Sequence, residues 1–93
     1  MTPIDILNEH LEELRRRYDV SKIGIFGSFS RGEDQSSSDV DIIVEFSTQV
    51  DLFTFLELKE HLEAILGREI DLVTKNALKP LIKDRILSEV TYL

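Results

Sequence analysis

Two aspartates one residue apart, Asp39 and Asp41, are the first feature of this sequence whose type and spacing could do chemistry. Side chains alternate along a β-strand, so both carboxylates would leave the same face, close to each other. Like charges at that separation repel, and a divalent cation that prefers oxygen ligands, such as magnesium, would neutralise them. The alternative is a strand whose outer face is merely solvated. Asp-x-Asp alone favours this alternative, because short motifs often match by accident.

The dipeptide Gly27-Ser28 lies upstream, at the end of an apolar run. Its presence favours the metal-binding interpretation of Asp39 and Asp41 over a solvated strand face. Glycine lets the backbone approach a phosphate without a Cβ clash, and the serine hydroxyl can donate to phosphate oxygens. Ten residues separate Ser28 from Asp39, which leaves room for a short helix and a return loop. Arg31 could add a cationic contact to a phosphate, although a surface arginine fits it equally well. This context predicts a triphosphate cradle beside the metal ligands.

A third carboxylate, Asp71, lies between the apolar residues Ile70 and Leu72. Strand alternation would turn it to the same side as Asp39 and Asp41. In a two-metal site it would complete the ligand set, and it would either position the attacking group or accept its proton. Taken alone, one aspartate in a strand indicates little.

Helical and strand patterns alternate along the chain, which predicts an α/β or α+β fold in one domain spanning residues 1–93. The first helix begins with Thr2 as candidate N-cap and Pro3 at the first helical position. Its apolar residues recur at helical spacing: Ile4, Leu7, Leu11, Leu14 and Tyr18.

Strands are predicted at residues 22–27, 39–46 and 69–73. In the second strand one face is core, formed by Val40, Ile42 and Val44. The opposite face, which displays acid, comprises Asp39, Asp41, Ile43 and Glu45. These strands must bring the aspartates to one edge of the sheet.

Two further helices are predicted. The longer runs from 51 to 66, ends at Gly67, and has an apolar stripe of Leu52, Phe55, Leu56, Leu62, Ile65 and Leu66. The last runs from about 78 to 87 with Pro80 in its first turn. Its inward residues are predicted to be Leu78, Leu81, Ile82 and Ile86. The tail at 90–93 is ambiguous.

Composition narrows the class of protein. The chain is 42% hydrophobic and 31% charged, it has no cysteine, and no apolar run could cross a bilayer. Without a signal peptide pattern, the cytoplasm is the expected location. The net charge of −7 argues against a long nucleic acid as substrate. It does not exclude a small phosphorylated ligand, because a bound metal can reverse the local sign.

Other polar residues are assigned to ordinary surface roles. His10 and His61 are expected to be surface or half-buried residues that share no metal. The carboxyl-terminal region is locally basic through Lys75, Lys79, Lys83 and Arg85. A solvated helix face is the favoured interpretation, and the alternative is a contact with a triphosphate or an acidic partner.

The segments 27–32 (Gly-Ser-Phe-Ser-Arg-Gly), 38–41 (Ser-Asp-Val-Asp) and 69–73 (Glu-Ile-Asp-Leu-Val) together match a known pattern. They resemble the nucleotidyltransferases of the DNA polymerase beta superfamily. Among these, the chain is most similar to the minimal ones that serve as antitoxins beside HEPN-domain toxins. The order of helices and strands agrees over essentially the whole chain.

This resemblance implies a mixed sheet of four strands or fewer flanked by helices. It also implies Mg²⁺ held by Asp39, Asp41 and Asp71, and ATP held through Gly27 and Ser28. Similar antitoxins transfer AMP to a tyrosine of the toxin and silence it, so a HEPN-domain toxin is the expected partner, in a homo- or hetero-oligomer. The chain lacks the accessory domains with which larger relatives bind an acceptor, so another protein is expected to bring it. Two alternatives stay open: neutralisation of the toxin by binding alone, and transfer to a small molecule such as an aminoglycoside.

Overall fold

The computed structural model describes residues 2–27 and 40–93. Its helices are α1 Pro3–Tyr18, α2 Leu52–Leu66 and α3 Pro80–Glu89, with a 3-10 turn at Lys75–Ala77. Its strands are β1 Val20–Phe26, β2 Val40–Phe46, β3 Ile70–Thr74 and β4 Thr91–Tyr92. The predicted mixture of helices and strands is confirmed. The connection predicted at 29–38 lies outside the described residues.

The four strands form one mixed sheet in the order β3-β2-β1-β4. β1 is antiparallel to both β2 and β4, whereas β2 and β3 are parallel because α2 carries the chain back between them. The predicted mixed sheet of four strands or fewer is confirmed. The ambiguous tail supplies the edge strand, and the amide of Leu93 donates to the carbonyl of Ile23 at 3.0 Å.

The start of α1 follows from its first residues. The hydroxyl of Thr2 accepts from the amide of Asp5, and the carboxylate of Asp5 accepts from the amide of Thr2, both at 3.2 Å. This capping box satisfies backbone donors that a helix start leaves without partners. Pro3 occupies the first turn, where a missing amide hydrogen costs nothing. The predicted helix start is confirmed.

The core lies between one face of the sheet and the pair α1 and α2. Val40, Ile42 and Val44 are fully buried there, as predicted. The buried side chains that complete the cluster come from both helices and the other strands: Leu7, Leu14, Tyr18, Val20, Ile23, Ile25, Leu58, Leu62, Ile70 and Leu72. No helix among the described residues has the length and apolar character that a membrane span requires.

The second face of β2 is less open than predicted. Ile43, placed on the acid-displaying face, is completely buried, and Asp41 and Glu45 on the same face are half-buried. The face predicted to display acid does carry Asp41 and Glu45, but it is covered at its centre, where Ile43 is buried. Alternation identifies which side chains share a face, but it cannot tell whether that face is covered.

Two predicted apolar stripes need correction. In α2 the fully buried residues are Leu58 and Leu62, whereas Leu52 and Leu56 are exposed. In α3 the residues Leu81 and Ile82, predicted to point inward, are exposed too. Apolar residues recur at helical spacing on more than one side of each helix, and only tertiary packing selects the buried side.

Leu58 and Leu56 provide a matched test of this packing. Replacing the fully buried Leu58 by alanine leaves a cavity and should lower the free energy of unfolding by ~2–5 kcal/mol. The same change at Leu56, 44% exposed on the same helix, should alter it by less than ~0.5 kcal/mol. Urea unfolding of both variants checks this. Equal losses would contradict the assigned orientation of α2.

Candidate active site at the Gly27 end of the sheet

Two of the predicted acidic residues occupy equivalent positions on neighbouring strands. Asp41 is the second residue of β2 and Asp71 is the second residue of β3. The parallel ladder pairs Asp41 with Asp71 directly, so their side chains leave the same face of the sheet. Since adjacent strands lie ~4.8 Å apart, the two carboxylates are held as neighbours.

Gly27 completes this group from the other side of β2. β1 ends at Phe26, which pairs with Asp41, and Gly27 follows with a φ of 76°. A Cβ built on Gly27 would lie 2.5 Å from Oδ2 of Asp41, far inside van der Waals contact. A side chain at Gly27 would therefore have to displace the carboxylate of Asp41.

Three predicted site residues lie outside the described residues: Ser28, Arg31 and Asp39. The chain positions that flank them are described. Ser28 directly follows Gly27, and Asp39 directly precedes Val40, whose amide donates to the carbonyl of Glu69 at 3.2 Å. The structure thus brings together Gly27, Asp41 and Asp71, and the roles of all six predicted residues stay predictions.

The chemistry of the described pair suits a hard divalent cation. Asp41 is half-buried and Asp71 is exposed, so the pair has a protected side and an open side. Carboxylate oxygens from two strands with an open approach are the ligand type that magnesium prefers when it also binds phosphates. Within residues 2–27 and 40–93, no three His, Cys, Asp or Glu side chains converge as a metal site. Asp41 and Asp71 alone form an incomplete set, which a third carboxylate would extend.

A groove of about 470 Å³ lies at the opposite end of β2 and β3, between the start of α2 and the 3-10 turn. Lys75 and Glu45 line it, with Nζ and Oε1 3.9 Å apart. Along β2, Asp41 and Val44, the lining residue of that strand nearest to it, are separated by ~10 Å at the usual rise per residue. The groove therefore lies beyond direct contact with the carboxylate of Asp41.

A polar cluster that joins α1 to α2 has a structural role. The hydroxyl of Tyr18 lies 3.0 Å from Nδ1 of His61, and Nε2 of His61 lies 3.5 Å from Glu13. Burial raises the pKa of Tyr18, with Arg17 opposing the shift, so the phenol stays protonated and can donate to Nδ1. His61 is half-buried, as predicted. His10 instead contacts the carbonyl of Ile6 at 2.9 Å, so the two histidines have separate surroundings.

Sequence reasoning missed one neighbour of the site. Phe26 was predicted only as part of a strand, yet it lies half-buried opposite Asp41 and shares its face. Its apolar ring occupies the side of Asp41 away from Asp71. The cross-strand register that reveals this is not encoded in the local pattern of either strand.

Comparisons with known proteins agree with this geometry. Residues 7–93 match the sequence model of a family described as the nucleotidyltransferase domain. Protein adenylyltransferase MntA of Thermococcus cleftensis is 51% identical over 87 residues, which cover 94% of this chain and 88% of that protein.

Solved structures give the same answer. One assigned provisionally as a minimal nucleotidyltransferase superposes with a TM-score of 0.84 at 30% identity, covering 100% of this chain and 97% of that one. A toxin-antitoxin structure with AMP-PNP gives a TM-score of 0.76 at 26% identity, covering 91% of this chain and 69% of that one.

Gly27 and Gly67 form a matched pair for testing the site. Both have positive φ, 76° and 68°, but a Cβ on Gly67 would meet nothing within 4 Å. Each substitution by alanine should cost ~1–2 kcal/mol of left-handed strain. Only Gly27→Ala should also displace Asp41, and thereby weaken binding of AMP-PNP in the presence of magnesium. Urea unfolding and calorimetric titration measure the two effects. Equal nucleotide affinity in both variants would show that Asp41 tolerates the added methyl group.

Proposed function

Because this chain belongs to the nucleotidyltransferase domain family, we propose that it transfers AMP from ATP to a hydroxyl group of a partner protein. The observation that most strongly supports this proposal is the contact between Gly27 and Asp41, with Asp71 beside Asp41. This arrangement offers a phosphate-approachable backbone and adjacent metal-binding oxygens at one end of the sheet. The 51% identity to a protein adenylyltransferase supports a protein as the acceptor.

ATP would be held where β1 ends. The positive φ of Gly27 turns the chain there without a side chain, so phosphate oxygens can approach the backbone. Ser28 would donate its hydroxyl to the triphosphate, and Arg31 would offset part of its negative charge. The half-buried Asp41 bounds this space on the β2 side.

The carboxylates fit a divalent metal, and we assign Asp39, Asp41 and Asp71 as the residues that would hold Mg²⁺. When bound, the ion supplies positive charge that offsets the triphosphate and stabilises the charge that develops during transfer. The rigid β2-β3 register keeps Asp41 and Asp71 together before any ligand arrives. Such preorganisation avoids rearranging the carboxylates during the reaction.

The proposed reaction is an in-line displacement at the α-phosphorus of ATP. A bond forms between the acceptor oxygen and the α-phosphorus, the bond to the bridging oxygen of the β-phosphate breaks, and pyrophosphate leaves. Asp71 is exposed, so an incoming acceptor can reach its carboxylate. It would either orient the acceptor hydroxyl or accept its proton, which then passes to solvent.

The partner we propose is a HEPN-domain toxin, with a tyrosine as acceptor. One structural relative is a toxin-antitoxin structure with AMP-PNP, which supports a toxin as the partner and ATP as the nucleotide. A net charge of −7 fits a protein acceptor better than a nucleic acid. Attachment of AMP adds a charged group to the toxin, and this would block its action.

The roles of the aspartates can be tested with labelled ATP, magnesium and a HEPN-domain toxin. Asp41→Asn and Asp71→Asn keep the side-chain shape but remove the charge that would bind the metal. Each should reduce AMP transfer at least ~10²-fold. Changes to residues that only support a metal's ligands can already cause a loss of this size, so loss of a ligand itself should cost at least as much. Glu12→Gln is the control, because it removes an exposed carboxylate on α1. Its rate should match wild type.

Two outcomes would contradict the proposal. If no label reaches the toxin while the protein still rescues growth, and the aspartate variants rescue equally well, neutralisation by binding alone is the correct function. If pyrophosphate is released only when a small molecule such as an aminoglycoside is supplied, the acceptor is not a protein.

Chelation of the metal should abolish transfer in the wild-type protein.

A further inference from the structure

The beginning of α2 exposes three large apolar side chains that serve neither the core nor the site: Leu52, Phe53 and Leu56. Phe53 is 77% exposed. Residues three and four apart on a helix are neighbours, so these side chains form one surface, here named the α2 patch. Exposed apolar clusters of this kind mark interaction surfaces more often than scattered single residues do.

The α2 patch is bordered by acid. Residues 51–66 contain four acidic residues and one basic residue: Asp51, Glu57, Glu60, Glu63 and Lys59. Glu57 follows Phe53 by one helical turn, and Glu60 follows Leu56 in the same way. Phe53 and Leu56 therefore each have a carboxylate just beyond them, toward the carboxyl end of the helix. The surface fits an apolar partner with cationic groups.

The beginning of α3 has the complementary character. Leu81 is 95% exposed and Ile82 is exposed beside it, and these two residues are named the α3 patch. Residues 79–85 contain three basic residues and one acidic residue: Lys79, Lys83, Arg85 and Asp84. Arg85 follows Leu81 by one turn, and its Nε lies 4.0 Å from Oε1 of Glu89. Since Arg85 is 82% exposed, that contact contributes little and leaves the guanidinium accessible.

The two patches do not cover each other within one molecule. α2 packs against α1 and β3, whereas α3 packs against β1, which β2 separates from β3. Pairing of two α2 patches would bring acid against acid, in molecules that each carry a net charge of −7. Pairing an α2 patch with an α3 patch matches apolar with apolar and acid with base.

We propose that the α2 patch of one copy binds the α3 patch of a second copy. Leu81 packs on Phe53 and Leu56, and Arg85 lies beside Glu57 and Glu60. In both helices the charge lies about 6 Å beyond the apolar residue toward the carboxyl end, so α2 and α3 must run in the same direction. The contact joins two different surfaces, which makes it heterologous. It lies beyond the proposed transfer reaction and does not require it.

Phe53→Asp and Leu81→Asp test the apolar contact on the full chain. Both residues occupy the second helical position, where a new carboxylate interacts favourably with the helix dipole, and both are largely exposed. Each variant should fold normally by circular dichroism yet associate at least ~10-fold more weakly than wild type in sedimentation velocity. Asn8→Asp, which adds the same charge at an exposed position of α1, is the matched control and should associate like wild type.

Mixing the two variants separates this proposal from other modes of association. Leu81→Asp retains an intact α2 patch and Phe53→Asp retains an intact α3 patch. One complete contact can therefore form between them, and the mixture should yield a 1:1 complex that neither variant forms alone. Association through two identical patches would not be restored in this way.

Charge reversal tests the polar part independently. Arg85→Glu and the double variant Glu57→Lys/Glu60→Lys should each weaken self-association, because like charges then face each other. Mixing them should restore it, since every contact between the two variants again pairs acid with base. Restoration of this kind cannot result from altered folding.

Three results would overturn the proposal. The first is a wild-type protein that stays monomeric at every concentration. The second is self-association that survives both aspartate substitutions. The third is association that the substitutions abolish but that neither mixture restores. Loss of toxin binding in Phe53→Asp with unchanged self-association would instead assign the α2 patch to the toxin.

Discussion

The register between β2 and its two neighbours is the constraint on which the site depends. Pairing with β3 sets Asp71 beside Asp41, and pairing with β1 sets Gly27 against the same carboxylate. Unit charges ~5 Å apart repel by about 3 kcal/mol at the dielectric typical near a protein surface, and the exposure of Asp71 reduces this. Burying one large aliphatic side chain contributes ~1.5–3 kcal/mol, so a few core residues on the opposite face offset the repulsion. The charged face is thus held in place by the apolar face of the same strands.

The two ends of the sheet differ in the charges of their side chains. At the Gly27 end Asp41 and Asp71 are paired across β2 and β3, and Asp71 is exposed. At the far end Glu45 already faces Lys75, and the groove there contains both signs of charge. The proposed metal and triphosphate would bind at the end where these two carboxylates are adjacent. The proposed site therefore lies at the Gly27 end of the sheet.

The exposed apolar residues of α2 and α3 include those whose predicted burial was corrected. Leu52, Leu56 and Leu81 were predicted as core because their spacing fits a helical stripe, and each lies in solvent. A helix with apolar residues on two sides buries one side and displays the other. The displayed sides of α2 and α3 carry opposite charge, which gives the misassigned residues a role in association. The spacing of apolar residues did not distinguish the buried side of these helices from the exposed side.

The sequence by itself determined the order of helices and strands, the capped start of α1, and the family through the Gly-Ser and Asp-x-Asp segments. These features depend on neighbours within a few residues, where spacing and side-chain type act directly. Burial of Ile43, the choice of Leu58 over Leu56, and the edge strand β4 were decided only by the tertiary structure. So was the contact between Gly27 and Asp41, which are distant in the chain. Strand register and face coverage arise from packing among distant segments, and no local pattern contains that information.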